Sequence, residues 1–330
     1  MSRVGLQGVE LVAANTDVQV LGLVQAHQRL QIGRKLTGGL GAGGDPETGR
    51  LAAEESREEI ADLLRGLDMV FITAGMGGGT GTGGAPVIAA VAKEIGVLTV
   101  AIVTRPFSFE GLARAQRAEV GVQRLSQSVD ALITISNDKL LRVAPPDMSL
   151  TRAFELVDEV LRQGVQGITE LIVVPGLINL DFADVDAVLR GAGTAMMGIG
   201  EAEGENKTRE AARKAIFSPL LDSSVKGAKK AILSITGGED LTLEEVTLAA
   251  EVTHEALSDR ADLFFGATIR DGLERARVTV IATGFPPSSG AEVAESEEEA
   301  ILERIEREGL ARDDYDIPTF LRRSRGASVP

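Results

Sequence analysis

The 330-residue chain has no cysteine, no tryptophan, one tyrosine and two histidines. Without cysteine there is no disulfide, no thiolate metal cluster and no thiol nucleophile, and His27 and His254 are too few for a histidine metal site. Each histidine reads as an ordinary surface or core residue. Aromatic residues make up 3% of the chain and the net charge is −15. Neither a base-stacking platform nor a basic face that tracks nucleic-acid phosphates is expected, so nucleic acid is excluded as a partner. No apolar run reaches membrane-spanning length, and the opening MSRVGLQGVE lacks the basic start and apolar stretch of a secretory signal. A cytoplasmic protein without direct membrane insertion is the expectation. The 44% hydrophobic content supports a sizeable core, and the length suggests about two domains.

What the chain does have is glycine, concentrated in AGMGGGTGTGGAPVIA from Ala74 to Ala89. The run before it, Met69 to Thr73, has the length and residue types of a fully buried strand, and Pro86 is expected in the first turn of a following helix. Glycines let backbone N–H groups approach an anion, and a helix N-terminus adds partial positive charge. A tight turn would need only one or two glycines, so phosphate binding is the better reading. Gly79 to Gly84 also matches GxGxxG, but the next strand-like run ends in Thr104-Arg105, where a dinucleotide site wants an acid. A P-loop is excluded because no GK[ST] stands at the required spacing.

Before Pro145-Pro146, strand-like runs alternate with helical ones, from VELVAAN through AEESREEIADLLRG, DMVFITAG, PVIAAVAKEIG, VLTVAIVT and EGLARAQRAEVGVQRLSQ to DALITISND. This alternation predicts an α/β layer with a parallel sheet. Apolar residues at 150, 154, 157, 161, 165, 168 and 172 then form one stripe, predicting a single long helix capped by Ser149. Beyond it, helical DFADVDAVLRGAG, TREAARKAIF and TLEEVTLAAEVTHEAL mix with strand-like AMMGIGEA, KAILSITGG, DLFFGATIR and ARVTVIATGF. The predicted organisation is a nucleotide-binding domain over 1–147, a central helix over 148–176 and a smaller α+β domain with a mixed sheet over 177–286. An acidic linker over 287–312 and a tail over 313–330 follow.

GMGGGTGTGGAP resembles the signature loop of the tubulin/FtsZ family. AANTD (13–17), GLGAGGDP (39–46), TRPFSFEGLAR (104–114), ISNDKLL (135–141), AFELVDEVLRQGVQGI (153–168), PGLINLDFADV (175–185) and terminal DIPTFLRR (316–323) follow FtsZ motifs in order. The resemblance implies a Rossmann-type GTPase that binds GTP and GDP with Mg²⁺. Gly75, Gly77, Gly78, Gly79, Thr80, Gly81, Thr82 and Gly83 would hold the phosphates, with Gly41, Ala42 and Gly43 near the γ-phosphate. Glu110 and Arg114 would contact the ribose and adjacent phosphate, although their spacing alone is that of a surface ion pair. A carboxylate can accept from both N1–H and the amino group of guanine, a requirement that Asp158 fits. Phe154 would stack on the base and Asn137 would add a base contact. Taken singly, these three read as a solvated acid, a core residue and a turn former.

Asn179, Asp181 and Asp184 alone look like a helix start. In the family this loop enters the next subunit's pocket, so the resemblance implies head-to-tail filaments, with these residues completing the neighbour's catalytic site. It also implies a division ring at mid-cell, and a tail, Asp316 to Arg323, that docks division proteins and a membrane tether. Family members carry a strand, a glycine-rich loop and most of a helix before the residues matching VGLQGVE. Without that strand, neighbouring strands are expected to lack partners. A start upstream of Met1 is the favoured explanation, and a fragment with damaged activity is the other. The alternatives weighed are a non-catalytic interaction protein acting through its tail and, more distantly, a dinucleotide oxidoreductase.

Overall fold

A computed structural model describes residues 8–141, 148–174, 176–218, 225–258 and 260–285. The Pro145-Pro146 boundary, the acidic linker and the DIPTFLRR tail lie outside the described residues. The first half runs β1 (Val12–Asn15), α1 (Val18–Leu23), β2 (Gln28–Gln31), α2 (Arg34–Thr37), α3 (Pro46–Glu55), α4 (Arg57–Leu64), β3 (Met69–Gly75), α5 (Thr80–Ile95), β4 (Leu98–Arg105), α6 (Leu112–Ser126), β5 (Ala131–Ser136) and α7 (Asn137–Leu141). The second comprises α8 (Leu150–Val173), α9 (Phe182–Leu189), β6 (Gly193–Glu203), α10 (Lys207–Ile216), β7 (Lys230–Gly237), α11 (Leu243–Ala256), β8 (Asp262–Ile269) and β9 (Arg275–Thr283).

Seven strands form one hydrogen-bonded order, β3-β4-β5-β6-β9-β7-β8. β3, β4 and β5 are parallel, as the alternation predicts, and β4 is buried along almost its whole length, as befits a parallel strand with helices on both faces. β6 pairs parallel with β5 at its start and antiparallel with β9 beyond, so the parallel and mixed parts share a strand. β8 and β9, consecutive in sequence, are separated in the sheet by β7.

Two expectations need correction. Helix α5 begins at Thr80 inside the glycines, which places Pro86 in its interior rather than its first turn. Packing against α3 outweighs the poor helix propensity of glycine there. β3 is only partly buried, with Ile72 its one fully buried residue. The reason is an apolar cleft of about 800 Å³ on its outer edge. β1 and β2 pair only with each other, so β1 and β3 each have one edge without a strand partner among the described residues. Between them, Val165 and Ile172 of α8 line the cleft on one side and Ala85 and Ile88 of α5 line it on another.

α8 forms as one 24-residue helix, about 36 Å long. Ser149 Oγ accepts from Arg152 N, and Val157, Leu161, Val165, Ile168 and Leu171 form its buried stripe. Gly164 and Gly167 let it approach the sheet. A Cβ at Gly164 would stand 2.9 Å from Met197 Cε, and one at Gly167 would stand 2.9 Å from Thr279 Cγ2. A Cβ at Gly164 would also stand 3.3 Å from Ile102 Cδ1 of β4, so the same helix touches both parts of the sheet. Glu170, buried on α8, is paired with Arg270, which follows β8.

Candidate nucleotide site and aspartate loop

The glycine loop leaves the C-terminal end of β3, the end of an open parallel sheet where ligands bind. Gly75 closes the strand. Gly77 turns with φ +101°, and a Cβ there would be 2.7 Å from both Arg114 Cγ and Arg114 O. Arg114 of α6 thus lies directly against the loop. The Gly77 amide donates to Thr82 Oγ1 at 2.8 Å, and the Gly83 amide donates to Gly79 O at 3.0 Å. Both amides are thereby spent within the loop, and buried Thr82 serves as an internal brace. The amides of Gly78, Gly79, Thr80, Gly81 and Thr82 have no acceptor among the described residues, as expected at a helix start, so an anion could take them.

Several glycines are required for packing. A Cβ at Gly79 would be 2.8 Å from Ala42 Cβ, and one at Gly83 would be 1.9 Å from Pro46 O. A Cβ at Gly49 would be 2.2 Å from Gly79 O. The 41–46 loop and the glycine loop therefore interlock backbone against backbone. Gly41, Gly43 and Gly44 adopt φ of +89°, +59° and +77°. Asp45 caps α3, accepting from Glu47 N, Thr48 N and Thr48 Oγ1. The Thr48 hydroxyl, then the two amides, hold its carboxyl below the usual range. Arg117 of α6 donates to the Gly44 carbonyl. Glu55, at the end of α3, accepts from Lys35 N and Leu36 N, which pins the start of α2.

The residues expected to meet the base and ribose come from several elements. Glu110 Oε1 accepts from Phe107 N at 2.9 Å, and Glu110 pairs with Arg114 at 3.1 Å, so the surface ion pair does form. Phe107 stacks on Phe109 with centroids 5.0 Å apart and meets Phe154 edge-on at 5.5 Å. Phe154 remains 44% exposed, leaving ring surface for a base. Asp158 lies one turn further along α8 and is exposed. Asn137 is buried, and its Oδ1 has no hydrogen-bond partner among the described residues. A buried acceptor without a protein partner is open to a hydrogen bond from a ligand or a water. The sequence reading missed Phe107 and Phe109, although two phenylalanines in RPFSF stand out in so aromatic-poor a chain.

Asn179, Asp181 and Asp184 are not brought to this site. They follow the C-terminal end of α8, and the stretch from Asp158 to Val173 alone, 15 helical rises, spans about 22 Å. Leu177 N and Ile178 N both donate to Ala267 O, which ties the loop to β8. Asn179 Oδ1 accepts from Gly176 N at 2.7 Å, and the residue is exposed. Asp184 N donates to Asp181 Oδ1 and Asp181 N donates to Asp184 Oδ2, a reciprocal cap for α9. Each carboxylate keeps one oxygen uncommitted in this cap. Among the described residues no cluster of three or more His, Cys, Asp or Glu could hold a metal, and no helix is long and apolar enough to cross a membrane.

The doubly wound sheet, the glycine loop at its strand ends and the long central helix define a nucleotide-binding protein of the tubulin-like class. The family described as "Tubulin/FtsZ family, GTPase domain" matches residues 5–145, and "FtsZ family, C-terminal domain" matches residues 193–286. An empty FtsZ dimer from M. jannaschii is 49% identical, with a TM-score of 0.82, over 85% of this chain and 82% of that one. The chain belongs to the FtsZ family, and it is a GTPase. A GTPγS-bound protofilament of CetZ2 from Haloferax volcanii shares the fold at 23% identity, with a TM-score of 0.72, covering 91% and 90% of the two chains. A GDP-bound CetZ1 monomer from the same organism matches at 23% and 0.73, covering 89% of each chain.

Proposed function

We propose that the protein assembles head to tail into cytoplasmic filaments of the bacterial division ring at mid-cell, and that GTP is hydrolysed at each subunit junction. The amides of residues 78–82 receive the phosphates, Phe154 and Asp158 select guanine with Asn137, and Glu110 and Arg114 hold the ribose and adjacent phosphate. Asp181 and Asp184 of one subunit orient a water at the next subunit's γ-phosphate and take up its proton through their uncommitted oxygens. Asn179 donates toward the same water. Mg²⁺ would be held mainly by phosphate oxygens and water, as is usual for this ion, and would neutralise charge developing on the phosphates. The tail, Asp316 to Arg323, docks division proteins and a membrane tether.

The observation that carries this reading is the separation of the aspartate loop from its own base site by most of the length of α8. Mixing variants tests it. Asp181→Ala is expected to bind GTP yet hydrolyse little, and Arg114→Ala is expected to bind GTP poorly. A mixture should hydrolyse faster than either alone, because an intact aspartate loop then meets an intact pocket. Loss of GTP affinity in Asp181→Ala as severe as in Arg114→Ala would refute action in trans.

A further inference from the structure

The hydroxyls of Thr16 and Thr80 lie 2.7 Å apart, joining the turn after β1 to the first residue of α5. Two hydroxyls share one proton between them, and one proton is left over. Thr16 is fully buried, and among the described residues no other acceptor lies within reach of its hydroxyl. If Thr80 donated to Thr16, the Thr16 proton would be buried without an acceptor, which is the costly arrangement. The reverse polarity has no such penalty. Thr16 then donates to Thr80, and the Thr80 proton is turned outward at a helix start whose amides are also unpaired. Such a proton recognises only an acceptor, and an anionic oxygen best of all.

Thr16 also acts through its backbone. Its carbonyl accepts from Gly41 N at 3.3 Å and lies 3.3 Å from Thr37 Oγ1, while Thr37 Oγ1 accepts from Gly39 N. One buried residue therefore touches both loops assigned to the phosphates. We propose that Thr16 is a positioning residue for nucleotide binding: it fixes the Thr80 hydroxyl as a donor to a phosphate oxygen and holds the Gly39–Gly41 turn in register with it. This rests on the assignment of the glycine loop to phosphate.

The test is a double-mutant cycle read by GTP and GDP titration of the full chain. Thr16→Val keeps the shape and removes the donor. It is expected to weaken both nucleotides roughly fivefold, the effect of one ordinary hydrogen bond. Thr16→Ser should restore affinity, and in a Thr80→Val background Thr16→Val should cost nothing further. Thr16→Ala replaces Thr16→Val if the latter does not fold, as judged by its melt without nucleotide. Equal losses in the wild-type and Thr80→Val backgrounds would overturn the proposal, because Thr16 would then act independently of Thr80. So would failure of Thr16→Ser to rescue. Should Thr80→Val leave affinity unchanged, the phosphate assignment falls and this inference with it. If Thr80→Val weakens binding and Thr16→Val does not, only the inference falls.

Discussion

Gly83→Ala separates a glycine needed for packing from one needed for a ligand. The new Cβ would sit 1.9 Å from Pro46 O and 2.5 Å from Arg50 N, both backbone atoms of α3 and its start. Reaching an ordinary contact of about 3.4 Å requires α3 and α5 to part by roughly 1.5 Å, with no flexible side chain to absorb the shift. Overpacking of this kind costs about 1–3 kcal/mol, and the rigid surroundings put this site near the top of that range. Alanine recovers about 1 kcal/mol of helix propensity, leaving a net loss of about 2 kcal/mol. For a unit of this size that lowers the melting temperature by roughly 4–8 °C. Gly78→Ala is the control: nothing lies within 4 Å of its would-be Cβ, and its φ is not left-handed. Its melt without nucleotide should match wild type, while GTP affinity falls because the methyl enters the phosphate site. Thermal unfolding by circular dichroism, paired with GTP titration, reads both. A Gly83→Ala melt within a degree of wild type, or a clear drop for Gly78→Ala, would refute the reasoning.

Asp158→Asn replaces one of two acceptors by a donor, so GTP affinity should fall roughly 10- to 100-fold while xanthosine triphosphate, which offers the complementary pair, gains. Competitive titration of the two nucleotides checks this. Asp45→Ala should lower the melting temperature at pH 7 by removing the cap of α3. Because the folded carboxyl titrates below its usual 3.8, its contribution is full above that value and is lost as the pH falls through the lower folded one. The gap between Asp45→Ala and wild type should therefore close on acidification below about pH 4, as followed by melts across pH. Deleting residues 314–330 should leave GTP turnover nearly unchanged and abolish binding to a membrane-tethering partner, measured by phosphate release and by co-sedimentation with tether-bearing vesicles.

Long elements were legible because their periodicity persists. β4 is a continuous apolar run and α8 carries a stripe over six turns, so both stood out from their neighbours. β2 and α2, of four residues each, are too short to carry a period, and the break at Ser56 splits into α3 and α4 what reads as one helix. The site was legible mainly through motifs. Glycine runs announce a loop, but they do not show which amides are already spent on Thr82 Oγ1 and Gly79 O, nor that Gly49, Gly79 and Gly83 form a packing seam. Those facts depend on α3 crossing α5, a tertiary arrangement that leaves no local trace. The aspartate loop is the reverse case: its cap is plain from spacing, whereas its distance from the base site needs the length of α8.

β6 joins β5 through only three residue pairs, Ala131 to Ile133 against Gly193 to Ala195, but runs beside β9 for eight. In mechanical terms the sheet is a stiff plate with a narrow weld. Tension applied across the strands would concentrate on the three-pair seam, while the antiparallel stretch distributes the same load over a longer ladder. Amides at the seam should accordingly exchange with solvent before those of the β6–β9 ladder. α8 spans this weld like a splint, with Gly164 against Ile102 of β4 on the parallel side and Gly167 against Thr279 of β9 on the mixed side. A displacement of the splint along its axis would reach both sides of the weld at once, so the parallel and mixed parts of the sheet respond together to a push on one helix.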